Sequence, residues 1–143
     1  MAKTFMQMAK AAMAEVKKVT PADVELRMRR KEDTLVIDVR DTDEIRVTGM
    51  IPGSIPVSLG MLAVRADREL PEAFRDPRLQ DRNQSVVTTC SYGPNGARAA
   101  KELKDMGFID VHYLEGGVKA WKDAGHPLEE FRGDSEGKKY GPL

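Results

Sequence analysis

The chain has 143 residues, with 23 Lys+Arg against 23 Asp+Glu and a formal net charge of zero; 32% of residues are charged and 41% apolar. That length holds one domain with a core of its own, and balanced charge excludes the electrostatic footprint of a nucleic-acid or membrane-surface binder. One cysteine, Cys90, excludes an internal disulfide, and with only two histidines the chain offers no zinc ligand set.

In chain order, Lys3 to Lys17 places Phe5, Met8, Ala9, Ala12 and Val16 at three- and four-residue spacings, the pattern of an amphipathic helix. The plain expectation is a helix packed on its own domain, and the competing one is a docking arm that pairs two copies into a homodimer. Gln7 and Lys10 interrupt any signal-peptide core, so the expected location is cytoplasmic, where a lone thiol stays reduced. Thr20-Pro-Ala-Asp23 is a helix start: a hydroxyl for the N-cap, proline for the first position and a carboxylate in the first turn.

Thr34 to Asp38 is a short β-branched run and reads as a buried strand. Val47 to Val64 lacks charge, but its glycines and prolines make it loop with a short strand at Ile55 to Val57 rather than a membrane span. Arg65 to Arg82 is densely charged and reads as solvated helix and loop. Ser85 to Thr89 is the next buried strand, with Cys90 at its carboxyl end. A loop from Ser91 to Gly96 leads to a helix over about Ala97 to Met106 with a stripe of Ala99, Ala100, Leu103 and Met106. Val111 to Leu114 is a further strand, and Gly116-Gly117 opens a last helix carrying Val118 and Trp121. Alternating strands and helices from residue 34 onward predict an α/β domain with a mostly parallel sheet. Three segments follow: a helix over 1–18, the α/β domain over 19–129, and a charged tail over 130–143.

In open α/β sheets, ligands bind beyond the carboxyl ends of the strands, where Cys90 stands. Gly93 and Gly96 let the loop curl so that backbone N–H groups converge, and the following helix adds the unpaired donors of its first turn. Such a cradle favours a thiolate nucleophile and holds negative charge delivered to the sulfur. The bland alternative is an inert buried cysteine, which needs no such loop.

Cys90-Ser-Tyr-Gly-Pro-Asn-Gly-Ala-Arg-Ala-Ala100 resembles the active-site loop and helix of single-domain rhodanese-like sulfurtransferases. Leu35-Val-Ile-Asp-Val-Arg40 with Gly49-Met-Ile-Pro-Gly-Ser-Ile-Pro56, and Leu114-Glu-Gly-Gly-Val-Lys-Ala-Trp121 continuing to Gly125-His-Pro127, are similar to that family's other signatures. The resemblance runs from about residue 19 to 129. It implies a five-stranded parallel sheet with helices on both faces and a cofactor-free, metal-free mechanism. In that mechanism Cys90 takes sulfur from a small anionic donor such as thiosulfate. It then passes the sulfur, held as a persulfide, to a thiol, cyanide or a sulfur-carrier protein. Ser91, Tyr92, Gly93, Pro94, Asn95, Gly96 and Arg98 are the expected substrate-binding residues.

Asp38 and Arg40 have two readings: a support that steers an anionic donor, or a structural pair holding the strand end. The second is favoured. Two departures stand out. Asn95 occupies a loop position where a cation is common in the family, which weakens the pull on thiosulfate, and Met50 replaces a frequent histidine. Two other functions compete. A phosphatase or arsenate reductase on this fold needs Cys-x5-Arg, but Gly96 stands six after Cys90. A non-catalytic binding module needs no cysteine at the nucleophile position.

Overall fold

A computed structural model describes residues 1–131 and 133. The expected tail over 130–143 lies for the most part outside the described residues. Five strands form one sheet in the order β1-β5-β4-β2-β3, every pairing parallel. They are β1 (Lys17–Val19), β2 (Thr34–Asp38), β3 (Ile55–Pro56), β4 (Ser85–Thr89) and β5 (Val111–Leu114). The helices are α1 (Phe5–Met13), α2 (Pro21–Arg29), α3 (Thr42–Thr48), α4 (Leu59–Ala66), α5 (Pro94–Asp105) and α6 (Gly117–Asp123).

Period-two alternation along the strands divides the core between the two sheet faces. Leu35, Ile37, Val86, Val111 and Tyr113 face one layer, packed with Ala12 of α1, Leu62 of α4 and Leu103 of α5. Val36, Val87 and Leu114 face the other, with Val24 of α2 and Val118 and Trp121 of α6. Trp121 also donates its indole N–H to the Pro127 carbonyl at 2.7 Å, so the ring is buried without an orphaned donor. The predicted strands at 34–38, 85–89 and 111–114 are observed at those bounds, because β-branched residues suit a strand buried on both faces. Thr20 caps α2 reciprocally with Asp23, as its spacing predicts, at 3.1 and 3.0 Å.

Four readings are corrected. The first helix stops at Met13, and Lys17–Val19 pairs with β5 as an edge strand. Two lysines and a single buried valine carry no strand pattern, so only the available edge of β5 reveals it. The stretch Val47 to Val64 is not all loop and strand: α4 begins at Leu59 and buries Leu62 and Ala66. Arg65 to Arg82 is bound to the body rather than solvated. Leu79 and Asp76 are fully buried, and the Arg82 guanidinium donates to the carbonyls of Leu79, Ala66 and Met106. Finally α5 starts at Pro94, not Ala97, so Pro94, Asn95 and Gly96 form its first turn and the true loop is Ser91 to Gly93.

The α1 helix is set down on α5 of the same chain through buried Ala9 and Ala12, which is the plain expectation for it. Among the described residues no helix is long and apolar enough to cross a membrane.

Candidate active site

The register places the carboxyl ends of β2 and β4 level with each other: Asp38 pairs with Thr89, and the Val39 amide donates to the Thr89 carbonyl at 2.9 Å. Cys90 and Arg40 therefore leave the sheet side by side. Cys90 is 5% exposed, and its sulfur forms part of the wall of an open cavity of about 380 Å³.

Two helix N-termini fix the Cys90 loop. At its start, α6 turns its first free amides onto the loop carbonyls: Val118 N–H donates to Cys90 O at 2.8 Å and Lys119 N–H to Ser91 O at 3.0 Å. In a trans peptide the N–H points opposite to the C=O of the same unit. Binding those carbonyls to α6 thus turns the amides of Ser91 and Tyr92 away from α6. Gly93 completes the turn with φ of +120° and donates its N–H to the Cys90 sulfur at 3.0 Å. Gly117 makes the clamp sterically feasible. At φ +64°, a Cβ there would lie 2.5 Å from Cys90 O and 2.6 Å from Ser91 O. The sequence predicts that Gly116-Gly117 opens the last helix; the structure sets Gly117 directly against the Cys90 and Ser91 carbonyls.

The expected substrate-binding residues divide. Ser91, Tyr92, Pro94 and Asn95 line the cavity with Cys90, and Tyr92 stands 70% exposed at its rim. Gly96 does not line it: it is buried against the Thr88–Cys90 backbone, and its carbonyl accepts from Thr88 Oγ1 at 2.6 Å. Arg98 does not line it either. Its guanidinium donates to Asn95 Oδ1 at 3.0 Å and lies 5.7 Å from the Phe5 ring centroid, outside the cavity. Starting the helix three residues earlier rotates position 98 toward α1.

Arg40 fills the structural reading. Its side chain is 2% exposed and pairs with Asp38 through Nε (3.0 Å) and Nη2 (2.7 Å). Two further guanidinium donors go to Thr48 Oγ1 at 2.7 Å and Gly49 O at 2.9 Å. Four of its five N–H donors are thus taken, and Arg40 ties β2 to the end of α3. Met50, likewise, is buried and exchanges two backbone hydrogen bonds with Glu129, a packing role.

Sequence reasoning missed three walls of the cavity. Phe5 reaches it from α1, Leu59 from the start of α4, and Asp41 and Glu44 from α3. The Glu44 carboxylate accepts a short hydrogen bond from Ser91 Oγ, next to Cys90 in sequence. Only Asp41 carried a usable signal, as an N-cap residue type ahead of the acidic first turn Asp43-Glu44. Among the described residues no group of His, Cys, Asp and Glu is placed to hold a metal ion.

The family model described as the rhodanese-like domain matches residues 20–124. Over 124 residues the chain is 27% identical to the thiosulfate sulfurtransferase GlpE of Pseudomonas putida, spanning 87% of this chain and 100% of that protein. A solved structure from Rhodopseudomonas palustris, described as a protein of unknown function and possible tyrosine phosphatase, is 35% identical. It superposes with a TM-score of 0.83, covering 90% of this chain and 96% of that one. The polysulfide-sulfur transferase homodimer of Wolinella succinogenes is 28% identical with a TM-score of 0.67, covering 90% and 88% of the two chains.

Proposed function

The chain belongs to the rhodanese-like domain family, and from that premise we infer that it is a sulfurtransferase carrying sulfane sulfur as a persulfide on Cys90. The observation that carries this reading is the Gly93 amide donating to the Cys90 sulfur at 3.0 Å, on the wall of an open cavity. A donor in that position can hydrogen-bond to negative charge carried on the sulfur during transfer. The amides of Ser91 and Tyr92, turned away from α6, suit the charge of a second sulfur bonded to the first.

The chemistry balances without a cofactor. The thiolate attacks the outer sulfur of the donor, the donor's S–X bond breaks, and X leaves with the electron pair; with thiosulfate X is sulfite. An acceptor nucleophile (a thiolate, cyanide, or a thiol of a sulfur-carrier protein) then attacks the outer sulfur of the Cys90 persulfide, takes it, and regenerates the thiolate. The described residues contain no second cysteine, so the sulfur leaves to an external acceptor. A reducing compartment such as the cytoplasm suits that cycle.

The Rhodopseudomonas palustris relative brings forward the phosphatase reading. That chemistry needs a cation that forks a tetrahedral oxyanion beside the thiolate. Of the two candidate arginines, Arg40 is buried and ion-paired to Asp38, with further bonds to Thr48 and Gly49, and Arg98 does not line the cavity. The sulfurtransferase reading is therefore the one adopted.

The test is intact-mass spectrometry of the reduced protein after incubation with thiosulfate or an organic persulfide and desalting. One added sulfur is expected, removed by cyanide and absent in Cys90→Ser. No adduct with any donor, or hydrolysis of an aryl phosphate that depends on Cys90, overturns the assignment.

A further inference from the structure

The cavity around Cys90 has an uneven charge lining. Arg40 is its one basic lining residue among those described, and Asp38 cancels that charge in a buried pair. Asp41 and Glu44 remain, both exposed and both on the cavity wall. Asp41 is an N-cap residue whose side chain makes no cap hydrogen bond. Glu44 is held at the loop by the hydroxyl of Ser91, the residue bonded to Cys90. Arg98, expected at the site from sequence, bonds to Asn95 and lies near Phe5 without lining the cavity itself. The rest of the lining is largely apolar: Phe5 from α1, Val39, Leu59 and Pro94.

We propose that this acidic, apolar-walled cavity selects sulfur donors by charge, rejecting the thiosulfate dianion and taking small organic persulfides with a neutral or cationic body. The inference rests on Cys90 being the sulfur-carrying nucleophile. In the loading step the Cys90 thiolate attacks the outer sulfur of R–S–SH. The S–S bond breaks, R–S⁻ leaves with the electron pair and takes a proton from solvent, and Cys90–S–SH remains. The apolar wall accommodates R, and the two carboxylates favour a cation on it.

The magnitude follows from Coulomb's law. Two carboxylates against a double negative charge make four unit repulsions, each worth a factor of about two to three at roughly 7 Å in a water-like dielectric without salt. Together they slow thiosulfate by a factor of about ten or more at low ionic strength. Screening at physiological salt reduces the factor to a few-fold.

The experiment measures the rate of sulfur loading on Cys90, by intact mass, across a charge series of donors. The series is the persulfides of cysteamine (cationic), 2-mercaptoethanol (neutral) and 3-mercaptopropionate (anionic), with thiosulfate beside them. The expected order is cationic, then neutral, then anionic, then thiosulfate, and added salt should speed thiosulfate while slowing the cationic donor. Asp41→Asn with Glu44→Gln, which keeps a hydrogen-bond acceptor for Ser91, should raise the thiosulfate rate about tenfold at low salt and lower the cationic rate. Equal loading by all donors with no response to salt or to the double variant overturns the charge selection while leaving the sulfurtransferase reading intact. Absence of loading by every donor overturns that reading itself.

Discussion

Two neighbouring strand ends each carry an ionisable side chain and put it to opposite uses. β2 ends in Asp38 and passes to Arg40; β4, hydrogen-bonded beside it, ends before Cys90. At the first end, four of the five guanidinium donors find a carboxylate, hydroxyl or carbonyl, and the pair is buried. At the second, the loop carbonyls are bound by α6, and the thiol keeps an open cavity in front of it. Reactivity at the edge of a parallel sheet is therefore decided by what the neighbouring helices leave unsatisfied. The strand end only supplies the place.

The largest effect should come from unsealing the first end. Asp38→Asn removes the charge that compensates buried Arg40 and should cost about 3–5 kcal/mol, because an uncompensated buried charge is left behind. For a chain of this size that is a melting-temperature fall on the order of 10 °C. A fall below about 3 °C in calorimetry would mean that Arg40 escapes to water, and the contrast with Cys90 would collapse. Next comes the clamp under the second end. Gly117→Ala places a Cβ 2.5 Å from the Cys90 carbonyl at a φ of +64°, strain of about 1–3 kcal/mol that the Ser91–Gly93 loop must relieve by moving. Sulfur loading on Cys90 should slow about tenfold or more, while melting falls by only a few degrees. An unchanged loading rate would show that the α6 contact does not set the loop.

The smallest effect lies at the amino end of the sheet. Burial lowers the His112 pKa from the ordinary value of 6.5, opposed by Asp110, with Oδ1 3.4 Å from Nδ1, and reinforced by Arg27 and Lys17. The unfolded chain then binds the extra proton first. Stability is full above about pH 6.5 and declines as pH falls below it. Melting followed from pH 7.5 to 5.5 should drop less steeply in His112→Gln than in the native chain. Parallel curves would place the acid sensitivity elsewhere.

The strands at 34–38, 85–89 and 111–114 were legible as short runs of β-branched and other apolar residues set off by turn residues, and the α2 start because its capping chemistry is local. Cys90 and most of its loop were legible too, since the turn requires glycine and the helix requires a start signal. The edge strand Lys17–Val19 was not, because its pairing comes entirely from β5. Nor was the Arg65 to Arg82 segment, where arginines that read as solvated donate to carbonyls far along the chain. The acidic half of the cavity was hidden for the same reason. Asp41 and Glu44 stand nearly fifty residues before Cys90, on a helix of one and a half to two turns with almost no periodic signal.

By itself, then, the sequence determined the sheet's central strands, the place of the thiol at the end of one of them, and the glycine turn that follows it. Those depend on backbone conformation and local burial, which neighbouring residues dictate. The tertiary structure alone decided which charges face the sulfur. It paired Arg40 with Asp38, kept Arg98 out of the cavity lining and brought in Glu44 and Phe5, because a side chain's partners are chosen by packing between elements remote in the chain.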